Sequence, residues 1–117
     1  MVKGKTIDVK WGKTISQYGN IAVEFKQIKK YGHVLPGNWL DNCKSEYLLY
    51  GDSVYRKFYA ISVDKLRKFI ADPVLFKKYV TVHQTGDGDI YNDFYAISAS
   101  VLEGCRVVLF EICLGVE

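Results

Sequence analysis

Residues 58–70 read FYAISVDKLRKFI, and this stretch joins a strand pattern directly to a helix pattern. Aromatic and β-branched residues over 55–62 predict a strand. Over 64–71 the apolar residues have helical spacing, and Asp64 can cap the first turn. A strand is therefore expected to lead straight into a helix at this point of the chain.

The pentapeptide FYAIS occurs twice, at residues 58–62 and again at residues 94–98. Each copy is followed by a short segment that ends in a leucine, Leu66 or Leu102. One match of five residues is not the signature of a repeat array. It does predict two strands that enter helical turns in the same way.

Strand and helix patterns alternate along the rest of the chain. Further strands are predicted over 6–11, 20–28, 46–50, 79–83 and 106–114, short helical segments over 39–44, 74–79 and 98–102, and turns or loops over 12–19, 31–38 and 86–93. The strands over 6–11 and 20–28 are expected to form a hairpin. We predict an α+β fold with a small mixed or antiparallel β-sheet and a few short helices.

Length and composition indicate a single domain over residues 1–117. Of these residues, 49% are hydrophobic and 25% are charged, which is ordinary globular composition. The sequence contains no apolar run of about 18 residues, so we expect no membrane association. The odd number of cysteines and the lack of an apolar signal segment at the N-terminus favour reduced thiols and a cytoplasmic location.

Charge is unevenly distributed along the sequence. Residues 1–30 carry seven lysines and two acids, a net charge of +5, whereas residues 81–117 carry a net charge of −5. A basic portion of this kind predicts contact with a polyanion such as DNA, although a solvated lysine face gives the same pattern. The candidate phosphate contacts are Lys3, Lys5, Lys13, Lys29 and Lys30.

Two acid-x-lysine pairs lie in the first two predicted strands. Asp8 and Lys10 share one side of the first strand, and Glu24 and Lys26 are spaced in the same way on the second. A hairpin would bring all four groups onto one surface. Asp8 and Glu24 could then hold Mg²⁺, while a lysine assists the water that attacks a phosphodiester. Cross-strand ion pairs on a solvated face are the alternative interpretation.

The order of short motifs resembles that of PD-(D/E)XK nucleases of the restriction-endonuclease-like and phage types. The segments concerned are IDVK (7–10), NIAVEF (20–25), PGNWLDNCKSEYLLY (36–50), FYAISVDKLRKFI (58–70) and GDGDIYNDFYAISASVL (86–102). The resemblance implies a truncated restriction-endonuclease-like fold and a magnesium-dependent deoxyribonuclease, or a DNA-binding protein derived from one.

The family's catalytic pattern can be placed on this sequence in two ways. In the first, Asp8 and Lys10 are the (D/E)-x-K pair and Glu24 lies on the neighbouring strand. In the second, Asp8 takes the place of the earlier acid, and Glu24 with Lys26 forms the (D/E)-x-K pair. Both placements lack the family's N-terminal helix. The resemblance therefore implies a site that is inactive, completed in a homodimer, or completed by another chain.

Two alternatives involve binding without catalysis. The chain could be a phage-type inhibitor of a host defence nuclease, anti-restriction or anti-CRISPR-like, that binds its protein partner with an acidic surface imitating nucleic acid. The residues expected to carry that surface are Asp87, Asp89, Asp93 and Glu103. The other alternative is a homo-oligomer in which exposed strand edges pair.

A run of aromatic residues beside Arg56 and Lys57 has two interpretations. Such side chains can stack on unpaired bases of a single strand. Large aromatics in strand-like segments also commonly pack into the core. The residues concerned are Tyr47, Tyr50, Tyr55, Phe58 and Tyr59.

Overall fold

A computed structural model describes residues 6–29, 34–35, 43–86 and 90–114. Within these residues the strands are β1 (Ile7–Gly12), β2 (Asn20–Lys29), β3 (Val34–Leu35), β4 (Tyr47–Asp52), β5 (Lys57–Ser62), β6 (Val80–Gly86), β7 (Ile90–Ser98) and β8 (Val108–Cys113). The helices are α1 (Thr14–Tyr18), α2 (Val63–Ala71), α3 (Pro73–Tyr79) and α4 (Ala99–Gly104).

The strands form two four-stranded sheets. Sheet A has the order β1-β4-β5-β8, with β1 parallel to β4 and the other neighbours antiparallel. Sheet B has the order β3-β2-β7-β6 and is antiparallel throughout. A small mixed sheet and a small antiparallel sheet, combined with a few short helices, confirm the predicted α+β class. The restriction-endonuclease-like identity of the fold stays a prediction.

The predicted hairpin between the first two strands is wrong. Strand β1 pairs with β4 in sheet A, whereas β2 pairs with β7 and β3 in sheet B. The segment predicted as a loop contains the short helix α1, whose Ile15 is 5% exposed and belongs to the core. Gly19 ends this helix with a positive φ of 73°, a conformation that glycine adopts at little cost. The chain thus crosses from one sheet to the other between Gly12 and Asn20.

The repeated pentapeptide forms nearly all of the inner strand β5 in sheet A and the second half of the inner strand β7 in sheet B. Ile61 in β5 is fully buried between strands β4 and β8, and Ile97 in β7 is fully buried between β2 and β6. The cross-strand neighbours are buried as well: Leu48 and Val108 in sheet A, Ile21 and Val80 in sheet B. The row centred on Ile61 in sheet A and the row centred on Ile97 in sheet B therefore belong to one core cluster.

Strands β5 and β7 each continue into a helix, and the chain then passes to the other sheet. Strand β5 leads through α2 and α3 to β6, and β7 leads through α4 to β8. Helix α2 buries Val63, Leu66 and Phe69 on one side. The Ser62 Oγ accepts a hydrogen bond from the Lys65 N–H at 3.2 Å, so Ser62 rather than the predicted Asp64 caps this helix.

Helix α3 confirms the short helix expected over 74–79. The Asp72 carboxylate accepts hydrogen bonds from the N–H groups of Val74 and Leu75, at 2.9 and 3.2 Å. Pro73 occupies the first turn, where its missing N–H costs no hydrogen bond. A side-chain cap and a proline together fix the start of this helix.

Several predicted boundaries differ from the structure. Residues 90–93 were predicted as part of a turn but belong to β7, whose register with β2 continues to Ile90 through a bulge near Glu24. Residues 43–44 are not helical. The remainder of the helical turn expected over 39–44, most of the loop over 31–38 and residues 87–89 lie outside the described residues.

Asp52, at the end of β4, is fully buried and connects three segments. Its carboxylate accepts hydrogen bonds from the N–H groups of Ser16 in α1 (2.8 Å) and of Val54 (3.0 Å) and Tyr55 (2.9 Å) in the following turn. Burial by itself raises the pKa of this carboxyl. The hydrogen bonds from Tyr55, Ser16 and Val54 outweigh burial and hold its pKa below the ordinary value of 3.8.

The substitution Asp52→Asn should lower the free energy of unfolding by about 1–3 kcal/mol at pH 7, because it weakens charged hydrogen bonds in a buried site. A lowered folded pKa means that the ionised carboxylate stabilises the fold above pH 4. That contribution is lost as the pH falls through the lowered pKa, so the difference from wild type should narrow in acid. Urea denaturation at several pH values measures this difference.

Asp64→Asn is the matched control for this experiment. The Asp64 side chain is 74% exposed and forms a surface ion pair with Lys68 at 3.0 Å. Pairs of this kind contribute about 0.5 kcal/mol or less. Equal losses for Asp52→Asn and Asp64→Asn would contradict the role assigned to the buried carboxylate.

Candidate functional site

The structure divides the four predicted catalytic residues between two sheets. Asp8 and Lys10 lie on β1, in register with Leu48 and Tyr50 and therefore on the core-facing side of sheet A. Glu24 and Lys26 lie on β2 in sheet B. The acid-x-lysine pairs keep their local spacing, but the hairpin that was expected to join them is not formed.

Glu24 lies on the opposite face of its strand from the core. Val23 is fully buried, and Glu24 follows it in register with Phe94 on the outer face of sheet B. Strand β2 therefore lies between the Glu24 side chain and the core side on which Asp8 is placed. A bulge follows Glu24, after which the Lys26 backbone is in register with Asp93.

The described residues do not fit the predicted magnesium site. Within 6–29, 43–86 and 90–114, no three His, Cys, Asp or Glu side chains converge so that they could hold a metal ion. Asp8 and Glu24 are on different sheets and faces, as described above. Magnesium as a cofactor therefore stays a prediction from the sequence.

Nicking of supercoiled plasmid tests the nuclease prediction. Asp8 and Glu24 do not face a common pocket. We therefore do not expect a magnesium-dependent nicking activity that is present in wild type and lost in both Asp8→Ala and Glu24→Ala. Nicked plasmid on agarose gels, with and without Mg²⁺, measures the activity. Activity that is present in wild type and lost in both variants would contradict this expectation and restore the shared metal site.

The predicted phosphate contacts are only partly described. Lys13 is exposed immediately before α1, and the backbone of Lys29 is at the end of β2. Lys3, Lys5 and Lys30 lie outside the described residues. These lysines stay predictions. Lys13 directly precedes Thr14, which lines the cavity described below.

A cavity of about 400 Å³ opens on the outer face of sheet B. Helix α1 contributes to it together with strands β2, β6 and β7. The lining residues are Thr14, Tyr18, Asn20, Ala22, His83, Gln84, Phe94 and Ala96. Aromatic rings and small residues thus come together from segments that are far apart in the sequence.

The register of sheet B arranges this cavity in rows. Phe94 lies between Glu24 and His83, and in the neighbouring row Ala96 lies beside Ala22. The His83 and Phe94 rings are stacked, with centroids 5.6 Å apart and an interplanar angle of 23°. The two alanines leave open space beside this pair of rings. The cavity is thus lined by a stacked pair of rings beside two small side chains.

Helix α1 supplies a second aromatic side to the cavity. Tyr18 is 72% exposed at the end of this helix. The helix is held against sheet B through Tyr50, whose hydroxyl oxygen accepts the Ala22 N–H at 3.1 Å and lies 2.7 Å from the Thr14 hydroxyl. Tyr50 itself is buried, so the position of α1 is fixed from within the core.

The aromatic residues chosen from the sequence have other positions. Tyr50 and Tyr59 are core residues, with 5% and 4% exposure. Tyr47 and Phe58 are half-buried in sheet A, and Tyr55 is exposed in the turn after β4. The interpretation that these side chains pack into the core is confirmed for Tyr50 and Tyr59, two of the five, and none of the five lines the cavity.

One charged cluster lies at the edge strand β8. Lys57 and Glu111 form an ion pair at 3.3 Å, and their hydrogen bond raises the pKa of Lys57. Burial raises the pKa of the Glu103 carboxyl, and a hydrogen bond to Glu111 and the charge of Glu111 raise it further.

The acidic surface predicted to imitate nucleic acid is only partly described. Besides Glu103 it includes Asp93, which accepts a hydrogen bond from Gln84 at 2.8 Å. Asp87 and Asp89 lie outside the described residues.

The substitution Glu103→Gln should stabilise the protein by a few tenths of a kcal/mol at pH 7–8. A raised folded pKa means that the neutral acid is favoured in the fold. Its contribution is therefore present at low pH and is lost as the pH rises through the raised pKa. Thermal melts of wild type and variant should diverge with rising pH and coincide near pH 4. A difference that does not depend on pH would contradict this assignment.

No protein family, curated protein or solved structure matches this chain. In the part of the chain that the structure describes, no helix is both long and apolar enough to cross a membrane. The cavity on sheet B is therefore interpreted from its own geometry and chemistry.

Proposed function

We propose that this protein binds single-stranded nucleic acid through the outer face of sheet B and holds an unpaired base in the cavity there. The observation that carries the proposal is an open cavity lined by three rings: the exposed rings of Tyr18 and His83, and the half-buried ring of Phe94, which stacks on His83. Every nucleobase presents a flat π-face, and aromatic side chains bind such faces by stacking.

The dimensions of the cavity suit this ligand. A volume of about 400 Å³ lies within the range of small-molecule sites and exceeds what a single base fills, which leaves room for part of the sugar. The floor is formed by Ala22 and Ala96, whose short side chains let a flat ring approach the sheet. Asn20, another lining residue, offers an amide that can donate and accept hydrogen bonds.

The charge of the surrounding chain supports a polyanionic ligand. Helix α1 and strand β2 belong to residues 1–30, the segment with seven lysines and a net charge of +5. Exposed Lys13 directly precedes α1. Glu24 is the one acid in the row with Phe94 and His83. The attraction to phosphates should therefore come from the flanking lysines, while the cavity supplies stacking.

This proposal retains DNA as a partner and the non-catalytic, DNA-binding form of the nuclease prediction. Phosphodiester hydrolysis stays a prediction that rests on Asp8, Lys10, Glu24 and Lys26. Inhibition of a host defence nuclease also stays a prediction, because its acidic surface is only partly described.

Fluorescence anisotropy with a labelled 12-nucleotide single strand of mixed sequence tests the proposal. Wild type should bind the single strand more tightly than the matching duplex, with affinity that falls as salt rises. Tyr18→Ala and His83→Ala should each weaken binding by roughly fivefold to 100-fold, the loss typical of one base–aromatic stack. Both residues are exposed, so the fold should tolerate the changes.

Tyr55→Ala is the control, because Tyr55 is 51% exposed but does not line the cavity. Its affinity should equal that of wild type. A titration with AMP distinguishes a free nucleotide from a strand: equal molar affinities indicate the nucleotide, and a much tighter oligonucleotide indicates the strand. Duplex preference, or equal losses in Tyr18→Ala and Tyr55→Ala, would overturn the proposal.

A further inference from the structure

Two hydroxyl groups, one buried and one at the cavity on sheet B, form a short hydrogen bond. The Thr14 Oγ1 in α1 lies 2.7 Å from the hydroxyl oxygen of Tyr50 in β4. The same tyrosine oxygen accepts a hydrogen bond from the Ala22 N–H at 3.1 Å. Tyr50 is buried, whereas Thr14 is half-buried and lines the cavity. One hydroxyl is thus closed off from solvent, and the other is within reach of a ligand.

The number of available protons determines which of the two hydroxyls donates. In the described part of the chain, the Tyr50 hydroxyl has two partners, the Thr14 Oγ1 and the Ala22 N–H. If Thr14 donated, the Tyr50 O–H would be left without an acceptor in a buried position, which is costly. A phenol both donates and accepts, and both capacities are used when Tyr50 donates to Thr14 and accepts from Ala22.

This direction leaves the hydrogen of the Thr14 hydroxyl without an acceptor inside the protein. Among the described residues, the Thr14 Oγ1 has no hydrogen-bond partner besides Tyr50. Because the phenol proton occupies one lone pair of this oxygen, the Thr14 O–H bond has to point away from Tyr50. Thr14 borders the cavity. A molecule bound there is therefore offered a hydroxyl donor.

Two other polar residues of the cavity are engaged by side chains of their own sheet. The Nε2 of His83 lies 3.1 Å from the Thr81 hydroxyl oxygen. The Gln84 amide donates to the Asp93 carboxylate at 2.8 Å. These contacts occupy hydrogen-bonding groups that a ligand would otherwise use. The Thr14 hydroxyl differs from them because its contact with Tyr50 occupies a lone pair and leaves the donor available.

We infer that the Thr14 hydroxyl donates a hydrogen bond to a carbonyl oxygen on the edge of the bound base, and that Thr14 thereby contributes to base selection. This inference rests on the proposed function, since it takes the ligand to be a base stacked in the cavity. None of the described residues that line the cavity is a lysine or an arginine. Phosphates are therefore expected outside it, and the acceptor that reaches Thr14 belongs to the base.

A carbonyl oxygen is the base atom best placed to reach Thr14. It projects beyond the ring, whereas a ring nitrogen is recessed in the edge, and the cavity of about 400 Å³ is larger than one base. Thymine, uracil, cytosine and guanine carry such an oxygen, and adenine does not. A site that uses a hydrogen bond discriminates against a ligand that lacks the matching group. The substrate class is therefore a strand that contains bases with carbonyl oxygens.

Fluorescence anisotropy with strands that carry a single base tests the inference. Each labelled 12-nucleotide strand is abasic except at one central position, which holds thymine, adenine or 2,4-difluorotoluene. The last has the shape of thymine but lacks its carbonyl oxygens. Wild type should bind the thymine strand roughly twofold to tenfold more tightly than the difluorotoluene strand, the range expected of one neutral hydrogen bond.

Thr14→Val should weaken binding of the thymine strand by that factor and leave binding of the adenine and difluorotoluene strands unchanged. Thr14→Ser keeps the hydroxyl and should keep the preference for thymine. Thr6→Val is the matched control, because Thr6 is exposed before β1 and does not line the cavity. Circular dichroism melts verify that each variant is folded. The wild-type comparison of thymine with difluorotoluene needs no variant, so it decides the matter if Thr14→Val is unfolded.

The outcomes separate this inference from the proposed function. Binding that depends on Tyr18 but shows no preference for thymine over difluorotoluene would overturn this inference alone. Equal losses on all three strands in Thr14→Val would also overturn it, since they indicate a contact with the backbone or a displaced α1. If no single strand binds, the proposed function fails and this inference fails with it.

Discussion

Two of the inner strands, β5 and β7, have to bury one face and then continue into a helix that buries its apolar side in the same core. The repeated pentapeptide meets this requirement twice, with Ile61 in sheet A and Ile97 in sheet B at the equivalent buried position. After each copy the chain passes to the opposite sheet. The core therefore lies between inner faces and helices, and each sheet keeps an outer face directed away from it.

The two outer faces differ because their side chains differ. Sheet A presents rows of large apolar residues at its edges, including Trp11 and Phe110. Sheet B presents an aromatic pair beside two alanines, so its surface is indented rather than level. The indented surface suits the flat ligand proposed for the cavity. The two sheets thus present outer faces of different shape and composition.

Local patterns in the sequence predicted most of the strands and helices. Alternation found β1 and β2, and helical spacing found α2 and α3, because each pattern depends on neighbouring residues alone. Pairing between strands depends on distant residues, and alternation is the same whichever strand lies alongside. The hairpin between β1 and β2 was wrong for this reason. The short helix α1 carries a single buried residue, Ile15, which is too little for periodicity to detect.

The cavity was not predicted from the sequence. Its residues come from four elements. The spacing of charges, which indicated Asp8 and Glu24, does not determine which sheet a strand joins. A usable signal was present in the second FYAIS copy. Once Ile97 is assigned to the core, Phe94 must point to the opposite face, where an aromatic residue requires an explanation. Alternation also places Tyr50 and Tyr59 on the buried side, because they lie two residues from buried Leu48 and Ile61 on their strands.

The order of strands in each sheet has a consequence for how quickly the chain can fold. Ile7 pairs with Tyr47, and Lys57 pairs with Cys113, so sheet A is assembled from contacts between distant parts of the sequence. Strand β7 must insert between β2 and β6 before sheet B is continuous. Distant pairings of this kind slow folding, since loop closure precedes the gain from contacts. During synthesis, β5 has an open edge until β8 arrives, and a nascent chain is exposed to mispairing for that interval.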